Sequence, residues 1–189
     1  MDNSTIAAIA TAGGRGGIGI IKMSGPEAVS IVKALFRSCN TDNPVPDSEN
    51  NGFQSHKLNY GRIVDPQTMQ VLDEVLVSVM RAPRTYTKED VVEINAHGGS
   101  VALHSILKLV LEQGARLAVP GEFTQRAFLN GRIDLTQAEA VIDIVNARTD
   151  HSLKIATAQI EGRLRKQIES IRQHLIQILT RAEAAIDFP

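Results

Sequence analysis

The apolar periodicity of this chain changes once, at Pro120-Gly121, and that change bounds the folds open to it. Upstream, short β-prone runs alternate with amphipathic helices and glycine turns. Downstream, apolar residues recur only at helical spacing. The stretch between residues 121 and 141 holds two helix starts, the Asn130-Gly131 turn and one cation at that turn, Arg132. The pattern predicts an α/β (α+β) domain with a mixed sheet over residues 1–120. Part of an all-α domain follows over residues 121–189, with helices near 122–130, 136–148 and 150–187.

Within the first part, Thr5–Thr11 and Ile18–Met23 read as strands around the run Ala12-Gly13-Gly14-Arg15-Gly16-Gly17. Gly14, Gly16 and Gly19 match the dinucleotide spacing G-x-G-x-x-G. That fingerprint needs a helix opening on the glycines and an acidic residue about twenty positions on. Here the glycines run into Ile18-Gly19-Ile20-Ile21-Lys22, and Cys39 stands near the acidic position. A glycine hairpin, or a glycine loop closing over a planar or anionic ligand, fits better. Ser24 or Gly25, followed by Pro26 and Glu27, predicts the start of a helix running to about Phe36. Ser38 to Ser55 reads as a polar surface excursion. Leu58–Val64 and Val71–Met80 read as an antiparallel pair, the second apolar enough to be covered on both faces. Thr87 with Asp90 could cap one short turn.

Val91-Val92-Glu93-Ile94-Asn95-Ala96 is the next strand, and Glu93 is its anomaly. Its side chain points opposite to those of Val92 and Ile94, and a carboxylate on a central strand must be exposed, paired or bound to something. His97-Gly98-Gly99-Ser100 then turns the chain into a helix over Val101–Glu112, whose first amides could meet a ligand. His97 reads as a hydrogen-bonded turn residue. No second ligand stands at metal spacing, and no G-x-S-x-G elbow occurs. Arg116–Val119 is a candidate last edge strand.

In the second part, Thr136-Gln137-Ala138-Glu139 reads as a capping box over a stripe of Ala138, Val141, Ile142 and Val145. A new cap near Arg148-Thr149-Asp150 opens a long helix whose apolar positions run from Leu153 to Ile186 at nearly heptad spacing, about 50 Å of helix. Such a stripe predicts coverage by another chain or by further helices of a bundle. Nine basic and nine acidic side chains after residue 121 balance. Arg163-Leu164-Arg165-Lys166 therefore reads as a solvated face more than as a grip on RNA.

Composition narrows the function classes. Twenty basic against twenty-one acidic side chains give a formal charge of −1, against a chain that holds nucleic acid by global charge. The single cysteine excludes a disulfide framework and fits a reducing compartment. No signal-peptide pattern and no apolar run of membrane-spanning length occurs. A cytoplasmic protein is the expectation.

Four segments are specific enough to carry a resemblance: Gly14 to Gly25, Tyr86 to Ile94 with His97-Gly98-Gly99, Pro120-Gly121-Glu122-Phe123-Thr124-Gln125-Arg126-Ala127-Phe128-Leu129-Asn130-Gly131, and Glu183 to Pro189. In order along the whole chain they resemble the bacterial and organellar tRNA-modification GTPase family, which acts on the wobble uridine of certain tRNAs. The resemblance implies an N-terminal folate-binding domain akin to that of the glycine-cleavage aminomethyltransferase, then a helical domain into which a Ras-like GTPase domain is inserted. No G-x-x-x-x-G-K-[ST] occurs in these 189 residues. On this resemblance GTP, Mg and K belong to a domain that the sequence does not include, as does the family's C-terminal cysteine motif.

Carried over by position, the family's folate contacts fall on Lys22, Glu93 and Arg132. Many members have arginine at the first and lysine at the last of these positions. Gly16, Gly17, His97 and Gly98 are further candidates, as glycine turns that admit a flat ring against backbone. The cofactor implied is a tetrahydrofolate derivative, the 5-formyl or 5,10-methylene form. The partners implied are a second copy of the chain through the N-terminal domain, an FAD-dependent tRNA-modification protein, and tRNA. One carboxylate can accept from a pterin ring N–H and its exocyclic amine side by side. A glutamyl tail calls for a cation, and the sequence leaves open which of Lys22 and Arg132 meets it. The competing reading is a dimerisation and scaffold module without catalysis; an aminomethyltransferase-like enzyme lacks a convincing acid–base pair.

Overall fold

The computed structural model describes residues 4–14, 16–39 and 52–187, in two compact units, Met1–Arg132 and Ile133–Pro189. Most of the expected polar excursion over Ser38–Ser55 lies outside the described residues, as does Arg15 of the glycine loop.

The first unit runs β1 (Ile6–Ile9), β2 (Ile18–Ser24), α1 (Ala28–Leu35), β3 (Phe36–Ser38), β4 (Lys57–Val64), β5 (Val71–Met80), β6 (Val91–His97), α2 (Ser100–Glu112), β7 (Arg116–Leu117) and α3 (Glu122–Leu129). Its strands form one sheet in the order β3-β4-β5-β6-β2-β1-β7. All neighbours are antiparallel except β1 and β7, so the sheet is mixed. Period-two alternation sends Ile21 and Met23 of β2, Val77 and Val79 of β5, and Val92 and Ile94 of β6 into a core. There they meet Val29, Val32 and Leu35 of α1 and Ile106 and Val110 of α2.

Gly19 belongs to this packing. A Cβ there would run into the Leu103 side chain of α2, so its glycine lets helix and strand approach closely. The glycine run joins two antiparallel strands and opens no helix, which disposes of the dinucleotide fingerprint.

Three local expectations fail for one physical reason, partners distant in sequence. β5 is covered on one face only, because α1 and α2 share a side of the sheet. Val75, Val77 and Val79 are buried, while Leu76 is 41% exposed. Ser24 and Gly25 do not cap α1. The helix begins at Ala28 with no side-chain cap, and the Glu27 amide donates to Thr5 Oγ1 at 2.8 Å. Gly25 instead takes φ +136° where a Cβ would strike Thr5. Thr87 and Asp90 do not pair as a cap either; the Thr87 hydroxyl accepts from the Glu89 amide at 3.3 Å instead. Thr87 is buried, and Asp90 accepts from Arg81 Nη1 at 2.7 Å and from the Ala82 amide at 2.9 Å.

α3, expected to open the helical part after residue 120, lies in the first unit. Glu122 accepts from the Val119 amide and from the Arg116 guanidinium, and pairs with Arg126 at 3.2 Å. Arg126 reaches Glu89 at 3.2 Å. The Glu122 and Arg126 side chains are over nine-tenths buried, and this network binds the helix to the edge of the sheet.

The second unit holds α4 (Leu135–Asn146), α5 (Asp150–Ile160) and α6 (Arg163–Asp187). The box at the start of α4 is made by Asp134 and Gln137, two residues before the expected box at Thr136. The cap near Thr149 forms as expected, with Ser152 as its partner. The helix expected over 150–187 is broken at Gly162, which takes φ +76°, and Gln137 Nε2 donates to the freed Ile160 carbonyl at 2.6 Å. The expected α4 stripe is exposed at Ile142 and Val145. Ala140 and Ala156 are the residues that α4 and α5 bury. No residue of α6 is buried.

Candidate functional site

Lys22 and Glu93 are register partners on β2 and β6. Both side chains leave the sheet on the face opposite α1 and α2, because Ile21, Met23, Val92 and Ile94 take the core face. The Lys22 Nζ to Glu93 Oε1 distance is 3.6 Å, with side-chain exposures of 20% and 30%. Among the described residues, Glu93 accepts no hydrogen bond from protein; its tie to Lys22 is electrostatic.

Arg132 arrives by another route. α3 ends with Gly131 at φ +66°. The Gly131 amide donates to the Phe128 carbonyl and the Arg132 amide to the Ala127 carbonyl, each at 2.9 Å. This paired closure is the Schellman arrangement, and it is why Asn130-Gly131 stands there. It delivers Arg132 to Tyr86, with its Cζ 5.1 Å from the ring centroid. Lys22 Nζ lies 5.0 Å from the same centroid and 5.5 Å from that of Phe123. Lys22 and Arg132, more than 100 positions apart in the chain, therefore share one aromatic ring, and Glu93 joins them through Lys22.

Tyr86 sits on a strap between β5 and β6 that α3 holds down. Its hydroxyl bonds Thr124 Oγ1 at 3.0 Å. Asn130 Nδ2 donates to the Thr87 carbonyl at 2.7 Å, and Lys88 Nζ to the Gly131 carbonyl at 3.0 Å. Ser24 Oγ donates to Glu89 Oε2 at 2.7 Å, so the 2.6 Å contact between Ser24 and Thr87 has the Thr87 hydroxyl as donor. Glu89 also takes the Arg126 guanidinium. Sequence reasoning missed Tyr86, Phe123 and this network. The available signal was compositional: the chain has two tyrosines, and one stands in an otherwise polar loop.

Gly16, Gly17, His97 and Gly98 form a separate cluster at the far end of the same strands. Ile18 pairs with His97 four positions along β2 from Lys22, about 13 Å away. The Gly98 amide donates to the Gly17 carbonyl at 3.3 Å, and a Cβ on Gly98 would hit the Gly16 carbonyl. The two glycine turns thus pack against each other. His97 is held by Asp73, with its Nδ1 2.6 Å from Oδ1 and its amide donating to Oδ2 at 2.8 Å. Among the described residues no group of three His, Cys, Asp or Glu side chains could hold a metal ion. Among the described residues no helix is long and apolar enough to cross a membrane.

The family described as "GTP-binding protein TrmE N-terminus" matches residues 5–132, and that described as "MnmE helical domain" matches residues 135–189. A protein of Carboxydothermus hydrogenoformans named tRNA modification GTPase MnmE is 56% identical over 189 residues, which is 100% of this chain and 40% of that protein. Proteins of the same name from Geobacillus thermodenitrificans (55% over 185 residues, 98% of this chain and 39% of theirs) and Staphylococcus aureus (51% over 189 residues, 100% and 39%) are similar to it. The chain spans about 40% of the length of these relatives. The boundary between the two matches falls where the two compact units meet, and the chain belongs to the TrmE/MnmE family of tRNA-modification GTPases, whose N-terminal and helical regions it matches.

Proposed function

We propose that this chain is the tetrahydrofolate-binding and dimerising portion of a cytoplasmic protein that modifies tRNA at C5 of the wobble uridine. The observation that carries the reading is the approach of Lys22 and Arg132 to the Tyr86 ring, with Glu93 paired to Lys22. The donor set fits a reduced folate. Glu93 has acceptor capacity that no described protein donor uses, and it can take a ring N–H and the adjacent exocyclic amine together. Tyr86 and Phe123 offer apolar faces to the ring. The cations answer the tail carboxylates. When bound, the folate supplies the one-carbon unit, and this chain's residues bind, orient and charge-match it. The relatives are named as GTPases, which supports GTP use by the longer protein. GTP turnover with Mg and K, a flavoprotein partner and tRNA itself belong to this proposal at the scale of that longer chain.

Calorimetric titration of 5-formyltetrahydrofolate tests the site. The chain binds, and Glu93→Ala weakens binding at least about a hundredfold, the loss of two bonds to a charged group. Equal heats from both, or none from either, count against the reading.

A specific observation also favours the scaffold alternative. Leu58 (64% exposed), Tyr60 and Leu76 lie together across β4 and β5 on the face that α1 and α2 leave uncovered. This is the face we propose for dimerisation. Sedimentation separates the two readings: a dimer that ignores both folate and Glu93→Ala supports a scaffold.

A further inference from the structure

Substitution at a uracil carbon displaces that carbon's own hydrogen, so the reaction proposed above needs a base. Lys22 and Arg132 only donate, and Glu93 is committed to the folate ring. Folding supplies a pair that sequence spacing hides: Asp73 of β5 and His97 of β6, 24 positions apart. Asp73 Oδ1 lies 2.6 Å from His97 Nδ1, and Oδ2 accepts from the His97 amide at 2.8 Å. Oδ1 also accepts from the Glu74 amide at 2.9 Å. The aspartate side chain is 10% exposed and the imidazole 73%. A carboxylate only accepts, so Nδ1 carries the ring proton and Nε2 turns a lone pair to the surface. Among the described residues Nε2 has no hydrogen-bond partner.

The other histidines of the first unit are placed differently. His56 has both ring nitrogens engaged, and His104 belongs to α2, under the opposite face of the sheet. His97 shares the open face with Glu93, two steps of alternation further along β6 and about 13 Å away. That span accommodates a bicyclic ring held at Glu93 and a pyrimidine beyond it. The surface beside the imidazole is bare. At Gly17 and Gly99 a Cβ would meet nothing within 4 Å, and neither residue takes a positive φ. Neither crowding nor backbone conformation demands glycine there, and the backbone is left open to a flat ring. Ile18, the register partner of His97, adds an apolar side chain that is 68% exposed.

Resting on the tRNA-modification reading, we propose that His97 is the base of this domain and Asp73 its positioning residue. The uracil lies over the bare glycine turns with its reacting carbon toward Nε2. Its C5–C6 π pair forms the bond to the one-carbon unit. The C5–H bond then breaks, its electron pair restores the ring double bond, and the proton passes to Nε2 and on to water. Asp73 fixes the tautomer and stabilises the imidazolium that forms.

Imidazole nitrogen shifts of the chain in mildly alkaline buffer test the geometry. His97 shows a protonated Nδ1 and a bare Nε2, and Asp73→Asn moves the proton toward Nε2. The reverse tautomer in the parent overturns the assignment. Single-turnover tRNA modification by the full-length protein with its flavoprotein partner tests the role. His97→Ala slows it about a hundred- to ten-thousandfold, the range of a positioned base, and added imidazole restores part of the rate. Asp73→Asn also slows it, and imidazole does not help, because the native ring still fills the place. Calorimetry with 5-formyltetrahydrofolate shows His97→Ala binding as the parent does. Full rate in His97→Ala, a loss that imidazole does not restore, or a matching loss of folate affinity overturns the proposal; the tRNA-modification reading then still stands. If the parent itself modifies no tRNA, that reading falls and this one with it. An unchanged melting temperature confirms that His97→Ala is folded, as expected for an exposed side chain.

Discussion

Glu122 shows how much a single side chain can couple this fold to pH. Its carboxylate accepts from the Arg116 guanidinium, the Val119 amide and Arg126. The bond from Arg116 is the main cause that holds its pKa at about 2 against an ordinary 4.5, overcoming the opposing effect of burial. The unfolded chain binds this proton first as pH falls. The stabilisation is therefore complete above pH 4.5 and is lost between there and about pH 2. Integrated, the shift corresponds to about 3 kcal/mol. Glu122→Gln should be less stable than the parent by about that much at pH 7, since it removes the charge but keeps the shape. The gap should close as pH is lowered through the window, and urea titrations at several pH values check it. A gap that does not change with pH would mean that packing, not charge, is what Glu122 supplies.

At the scale of elements, α3 and the strap of residues 81–90 behave as one piece, because the buried Arg126 guanidinium joins Glu122 of the helix to Glu89 of the strap. Arg126→Gln leaves two carboxylates without their shared counter-charge. It should cost about 3 to 5 kcal/mol, typical of breaking a buried pair. It should also speed amide exchange over residues 84–90, loosening Tyr86 without touching it. Hydrogen exchange that stays slow there would show the strap to be held by its other bonds. None of this lacing is visible in local sequence, since Ser24, Thr87, Glu89, Arg126 and Asn130 meet only after the sheet forms. What period and turn chemistry do reveal is substantial. The alternation Val92-Glu93-Ile94 sets the face of Glu93, and Asn130-Gly131 marks the turn that presents Arg132. Where local pattern misleads, a global fact intervenes. The apolar run of β5 cannot tell whether a second layer exists to cover Leu76. Apolar spacing passes from Ile160 to Leu164 in step, so it is blind to the positive φ of Gly162 that divides α5 from α6.

Across the whole molecule, apolar burial is distributed unevenly between the two units. The first owns a continuous core of strand and helix residues. In the second, α4 buries Ala140, α5 buries Ala156, and α6 buries nothing. At about 25 cal/mol per Å² of buried apolar surface, two alanines supply little against the ordering of over fifty residues, so the units should not unfold together. The chain itself offers selective probes: it has no tryptophan and two tyrosines, Tyr60 and Tyr86, both in the first unit. On heating, helical ellipticity should fall in an early step that leaves tyrosine fluorescence unchanged, and both signals should fall in a later one. A chain ending at Arg132 should keep only the later step, at the same temperature. The exposed seam of α6, from Leu164 to Ile186, adds a signature of its own. If a second copy covers it, the early step must move upward with protein concentration while the later one stays fixed. A single coincident transition in both probes would show instead that the two units share their stability.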